Sequence, residues 1–290
     1  MTMKASENTK IDLAMIAKKP FNSYNDYMTC MFAVVNDSMD TYIEEMKSVF
    51  ANEQGGYKNV LYPDIEIAHD LCKEQVSKFY LKMSEKGEDY FTGTEIDEAE
   101  ETAGADDDFL DDLFGDMDGD DLFGGSDFGD ALAGSPDGEQ QMDAERIEYM
   151  MRQKAKQFST REKIEHLSER AEVTLAAGVS LPFYEVCKKL GYEPFTIFCL
   201  VCGILSSTQT SYAGIYQVIN ENGNMSAPTI ESAAKLYYGK EFSITGAYSE
   251  MSVCLEQLLP VLDLQMQKNM PFSTFVSPDK RIKIGRASCR

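Results

Sequence analysis

Apolar residues recur at helical spacing on both sides of one long interruption. Met28, Met31, Phe32, Val35, Met39, Tyr42, Ile43, Met46 and Phe50 trace one face of a long first helix. Ser23 followed by Asp26 has the form of a capping box, and Gly55-Gly56 stops the run. A second helix is expected after Pro63, with Ile65, Ala68, Cys72, Val76, Phe79 and Met83 as its stripe and Glu74 and Lys78 spaced for an exposed ion pair. The two helices form a hairpin, too short a chain to guarantee an independent core.

The helical period returns near residue 146. Ile147, Met150, Met151, Ala155 and Phe158 begin a helix; Ser159 and Glu162 then form a second capping box and reset the phase for Ile164, Leu167, Ala171 and Leu175. Gly178 closes that helix. Leu181-Pro182 opens a short helix ended by Gly191. Pro194 opens another that is apolar nearly all round, the mark of a central core helix. Further helices are expected around Tyr212, Ile215, Tyr216 and Ile219, stopping near Asn222-Gly223; after Thr229 as cap; and over 248–262. Residues 272–276 are the best strand candidate. The expected fold class is mostly α: a helical hairpin, a disordered acidic linker, then a helical winged-helix-like domain with at most a small β wing.

Charge accounts for the interruption. The 290 residues carry a net charge of −22, from 27 Lys and Arg against 49 Asp and Glu. Residues 87–145 hold 22 of those acids and no Lys or Arg, so this one stretch contains the whole excess and the remainder is neutral. The stretch is too polar to offset chain entropy by burial. It does repeat Asp-Asp-Leu-Phe-Gly at 111–115 and 120–124, an acidic–hydrophobic alternation that suits either a solvating linker or a docking motif for a basic, grooved partner. The expected organisation is therefore an N-terminal helical region over 1–86, an acidic disordered linker over 87–145 and a helical winged-helix-like domain over 146–283.

The last seven residues, IGRASCR at 284–290, form a fourth unit. The string ATC-GGA-AGA-GCG-TCG-TGT-AGG, the start of a common sequencing adapter, encodes them residue for residue. The expectation is that they are an adapter artefact and that the native frame continues beyond Lys283. No apolar run reaches membrane-span length, and residues 195–205, the most apolar, read as a buried helix. The N-terminus has no sustained apolar core of a signal peptide. Seven cysteines stand singly among apolar neighbours, which fits thiols in a reducing cytoplasm.

Candidate chemistry is thin. Cys199 and Cys202 have zinc-knuckle spacing but lie within the most apolar helix with no second Cys/His pair, so core packing is expected. Asp116, Asp118 and Asp120 match the first ligands of a calcium loop, yet Asp121 stands where its glycine belongs and Asp127 where its glutamate belongs. Gly239-Lys240 resembles the end of a P-loop, but Ala234 and Glu241 occupy positions that motif cannot spare. His69 and His166, the only histidines, are expected at the surface or half-buried beside acids. Arg152, Lys154, Lys156, Arg161 and Lys163 form a basic cluster interleaved with Glu162 and Glu165, and the helix after Thr229 carries only Lys235, with Lys240 just beyond. That is a small phosphate footprint for nucleic acid. No catalytic, cofactor-binding or metal-ligating residue is assigned, and no membrane partner is expected.

One longer run is more specific. Arg170-Ala-Glu-Val-Thr-Leu-Ala-Ala-Gly178-Val-Ser-Leu181-Pro182-Phe leads to Leu190-Gly-Tyr-Glu-Pro194-Phe195. The core helix follows, then Tyr212 and its helix, Ser226-Ala-Pro-Thr229-Ile-Glu-Ser-Ala, and finally Phe272-Ser-Thr-Phe-Val-Ser-Pro-Asp279-Lys-Arg281-Ile282. In order and spacing this is similar to the winged-helix-like region that precedes the catalytic core in a family of bacterial AAA-type ATPases. The resemblance covers about residues 146–283; residues 1–145 lie outside it. It implies a parent that hydrolyses ATP with Mg2+ to remodel a protein partner, works as a homo-oligomer in the bacterial cytoplasm, and uses this portion for regulation or substrate engagement. The family's Walker motifs, sensors and arginine finger lie downstream, so no catalytic residue is carried over. Two other readings stand beside it: a complete adaptor protein that docks partners through its acidic repeats, and a winged-helix DNA-binding regulator.

Overall fold

The computed structural model describes residues 18–52, 65–84, 152, 155–260, 271–273, 275 and 276. The protein is mostly α-helical, with eight α-helices and no strand among the described residues. They are α1 (Tyr24–Asn52), α2 (Ile65–Ser84), α3 (Thr160–Ala176), α4 (Pro182–Lys189), α5 (Pro194–Ser206), α6 (Tyr212–Ile219), α7 (Ile230–Tyr238) and α8 (Ile244–Leu258). The acidic stretch at 87–145, with its calcium-like triad and its repeats, lies outside the described residues, as do residues 284–290.

The helix starts follow from local hydrogen bonding. The Asp26 N–H donates to Ser23 Oγ at 3.2 Å, and Ser23 Oγ donates to Asp26 Oδ2 at 2.9 Å. The Glu162 N–H donates to Ser159 Oγ at 3.2 Å and the Ser159 N–H donates to Glu162 Oε2 at 2.7 Å, a complete capping box. Thr229 accepts from the Ser232 N–H at 3.0 Å at the start of α7. Glycine takes positive φ at the ends of α3, α4 and α7. Gly178 (φ +85°) and Gly191 (φ +68°) turn the chain through the left-handed region after α3 and α4. The Val179 and Tyr192 N–H groups then return to the Thr174 and Cys187 carbonyls at 3.2 and 3.0 Å.

Three boundaries differ from the sequence expectation. The last helix begins at Ile244 rather than 248, because Ser243 Oγ accepts the Gly246 N–H at 3.1 Å and caps it there. α6 ends at Ile219, before Asn222-Gly223, and the left-handed residue of its turn is Glu221 (φ +53°). The strand expected at 272–276 is replaced by a 3-10 turn, Pro271–Ser273, and a single antiparallel bridge between Thr229 and Phe275. The Val276 N–H donates to the Pro228 carbonyl at 2.8 Å. The bridge cannot lengthen along the Thr229 side, since the chain becomes helical at Ile230.

The core is continuous from the N-terminal helices into the later ones. α1 and α2 pack together as a hairpin, and α1 also packs on α3, α5, α6 and α7. Ten of the thirteen residues of α5 are buried, as its all-round apolar character requires. α7 is enclosed by α1, α3, α5 and α8. The segment entering α1 is tied to α3: the Phe21 N–H donates to Thr174 Oγ1 at 2.8 Å, and the Arg170 guanidinium lies 4.1 Å from the Phe21 ring centroid. No helix among the described residues is long and apolar enough to cross a membrane.

Candidate functional site

Burial of α1 on several sides encloses a polar face as well as an apolar one. Asn36, Asp37, Ser38 and Asp40 are all buried. A buried charge without a partner is strongly unfavourable, so each must be compensated. Tyr80 of α2 donates its hydroxyl to both Asp37 oxygens, at 2.9 and 3.0 Å, and Lys163 Nζ of α3 lies 3.3 Å from Asp37 Oδ2. Lys163 is itself only 5% exposed, so the pair has left water together. Arg152 Nη2 sits 2.5 Å from Asp40 Oδ2. Tyr212 of α6 donates to Asn36 Oδ1 at 3.0 Å, while Asn36 Nδ2 donates to the Phe32 carbonyl at 2.8 Å. Polar groups on α1 thereby fasten it to α2, α3, α6 and the segment before α3.

Beside this network Asp40, Glu44 and His69 converge. Asp40 and Glu44 are one helical turn apart on α1, and His69 faces them from α2; one ligand-capable atom from each residue lies within 4.8 Å of the other two. Asp40 Oδ1 and His69 Nε2 are buried and have no hydrogen-bond partner. Each such atom costs about 1–3 kcal/mol when left unsatisfied. Burial raises the Asp40 carboxyl above its ordinary value, opposed by Arg152 and assisted by Glu44 and Asp37. Burial lowers the His69 imidazole below its ordinary value, helped by Lys73 and Lys47 and opposed by Asp40 and Glu44. The expectation of surface or half-buried histidines is corrected: His69 is 6% and His166 is 3% exposed. The reason is that α2 is covered by α1 and α6, and α3 by α1, α5 and α7.

A cleft of about 740 Å3 opens next to the network, between the second half of α1, the start of α3 and the end of α7. Its charges are mixed. Lys156 faces Glu44 at 3.4 Å, Lys240 faces Glu45 at 3.2 Å and Arg161 pairs with Glu165 at 3.0 Å. Four members of the basic cluster seen in the sequence are therefore ion-paired within the chain: Arg152, Lys156, Arg161 and Lys163. The fifth, Lys154, is outside the described residues. Lys235, on the helix weighed as a nucleic-acid reader, pairs with Glu221 at 3.1 Å and Glu231 at 3.8 Å. Six of the nine residues of α7 are buried.

The cysteines belong to the core. Cys30, Cys72, Cys187, Cys199, Cys202 and Cys254 are all buried, and none of them is in a disulfide. Burial holds the Cys199 thiol well above its ordinary value and pushes Cys187 and Cys202 up to about 12. Thiols so shifted stay protonated and apolar, as packing groups rather than thiolate ligands. Gly239 turns the chain at the end of α7 (φ +52°), and Lys240 reaches Glu45 rather than a phosphate cradle. Asp37, Asp40 and Glu44 carry no signature in the linear sequence; the only local trace is that polar positions 36, 37, 40 and 44 are themselves spaced as one helical face.

No protein-family model, no curated protein and no solved structure matches this chain.

Proposed function

We propose that this chain is the non-catalytic, partner-engaging portion of a bacterial AAA-type ATPase, with the module that binds ATP and Mg2+ encoded outside these residues. The observation that supports it most is the agreement between the order of the resembling motifs and the order of the elements they organise. Leu181-Pro182 starts α4, Pro194 starts the enclosed helix α5, and Thr229 caps α7. The segment holding Phe275 and Val276 then docks on the backbone at Pro228 and Thr229. Three of these short motifs thus each open a helix, while the terminal Asp279-Lys-Arg281-Ile282 lies outside the described residues. In this reading the helical hairpin, the acidic tether and the later helices position a protein partner, and ATP hydrolysis elsewhere in the parent does the mechanical work.

The DNA-binding reading has weaker support, because its basic cluster is neutralised by acids of the same chain and its reading helix is largely buried. Calorimetric titration of the purified chain with ATP and Mg2+ tests the proposal. No saturable nucleotide binding is expected. Tight, magnesium-dependent binding of ATP would place the nucleotide site in these residues and overturn it.

A further inference from the structure

We propose that Asp40, Glu44 and His69 form a binding site for one divalent transition-metal ion of the zinc class. The inference rests on the N-terminal helices, outside the resembling stretch, and stands or falls separately from the ATPase reading. Its first support is convergence: two carboxylates one turn apart on α1 and an imidazole on α2 place a ligand atom each within 4.8 Å of one another. Its second support is independent of the clustering. Asp40 and His69 are both more than nine-tenths buried, and Asp40 Oδ1 and His69 Nε2 have no hydrogen-bond partner.

The surroundings suit an ion. Arg152 occupies Asp40 Oδ2, which leaves Oδ1 for a metal and fixes the carboxylate plane, as outer partners of metal ligands do. Of the nearby cations, Lys47 is held by Glu66 at 2.6 Å, Lys156 lies 3.4 Å from the partly exposed Glu44, and Lys73 is exposed on α2. Ligand atoms around a tetrahedral zinc stand about 3.4 Å apart, given metal–ligand bonds near ~2.1 Å. Glu44 is the ligand free to close the difference, since its contact with Lys156 is long and solvated.

One nitrogen and two oxygens select the metal class. Calcium and magnesium prefer all-oxygen sets, whereas Zn2+, Co2+ and Mn2+ accept imidazole with carboxylate. Three protein ligands leave a coordination position for water or for a ligand from a partner. Bound metal would also lock α1 to α2, so its binding energy adds to the stability of the fold.

The test uses the full chain after chelation, titrated with Co2+ while visible absorption is recorded. The expected result is one equivalent of Co2+ giving the intense bands of a low-coordinate site, displaced by Zn2+, with a rise in melting temperature on adding Zn2+. His69→Gln should weaken this binding by more than ~100-fold, beyond the 10- to 100-fold loss typical of outer-shell changes. Glu44→Gln, at a half-buried position less disruptive to folding, should weaken it as well, and Asp70→Asn on the exposed side of α2 should not. Circular dichroism of the metal-free variants confirms that they fold. Two outcomes overturn the proposal. In one, Co2+ binds wild type, His69→Gln and Glu44→Gln equally and without intense bands, which assigns the ions to the acidic stretch. In the other, no ion binds and His69 shares a proton with Asp40 instead.

Discussion

Lys163→Met is expected to lower the free energy of unfolding by about 3–5 kcal/mol, the usual cost of leaving one member of a buried ion pair alone. Lys163 and Asp37 are 5% and 9% exposed, so neither is rescued by water. Without the ammonium, Asp37 would keep the Tyr80 hydroxyl among its contacts, but a neutral donor does not compensate a buried carboxylate. Asp37→Asn added to Lys163→Met removes the orphaned charge, and most of the lost stability should return. Urea unfolding monitored by circular dichroism reads both variants. A loss below about 1 kcal/mol in the single variant is the magnitude of a surface pair, and would mean that the network is solvated in solution.

Phe198→Ala carries the second large effect, a loss of about 3–5 kcal/mol. Phe198 lies in the middle of α5, has no exposed surface, and packs its ring 5.5 Å from that of Tyr237 on α7. Truncation removes apolar contacts on two helices at once, and the surrounding α1, α3 and α8 limit collapse into the gap. Val186→Ala on α4 is the control: this side is 54% exposed, and the change should stay within about 0.5 kcal/mol. Equal losses at the two positions would contradict the placement of α5 at the centre.

The elements legible in the sequence are those decided by neighbours in the chain. Ser159 with Glu162, Thr229 before Ile230, Pro194 at a helix start and Gly178 at a helix end each act within four residues, and each is found where the pattern puts it. The Glu74–Lys78 pair forms for the same reason. The start of α8 went astray by four residues because Ser243 as a cap outweighs the later apolar spacing. The strand at 272–276 had suitable residues, but a strand also needs a neighbour, and among the described residues only Thr229 bridges to it.

The candidate site was illegible for a related reason. Asp37, Asp40 and Glu44 share a helical face, and alone that face is indistinguishable from a solvated one. What buries it is Tyr80, Lys163 and Arg152, which are 43, 126 and 112 residues away from their partners in the chain. His69 became a core residue through the same long-range packing. The cysteines at 199 and 202 were readable because an all-round apolar helix has only one stable location.

The ATPase reading assigns the helical body and the acidic stretch to one partner-engaging portion served by a separate motor module. The most direct measurement of that claim is the genomic sequence downstream of codon 283. The ATPase reading predicts that the frame runs on past Lys283 and reaches a Gly-x-x-x-x-Gly-Lys-Ser/Thr loop within roughly a hundred codons. Genomic DNA that encodes IGRASCR followed directly by a stop codon would contradict it.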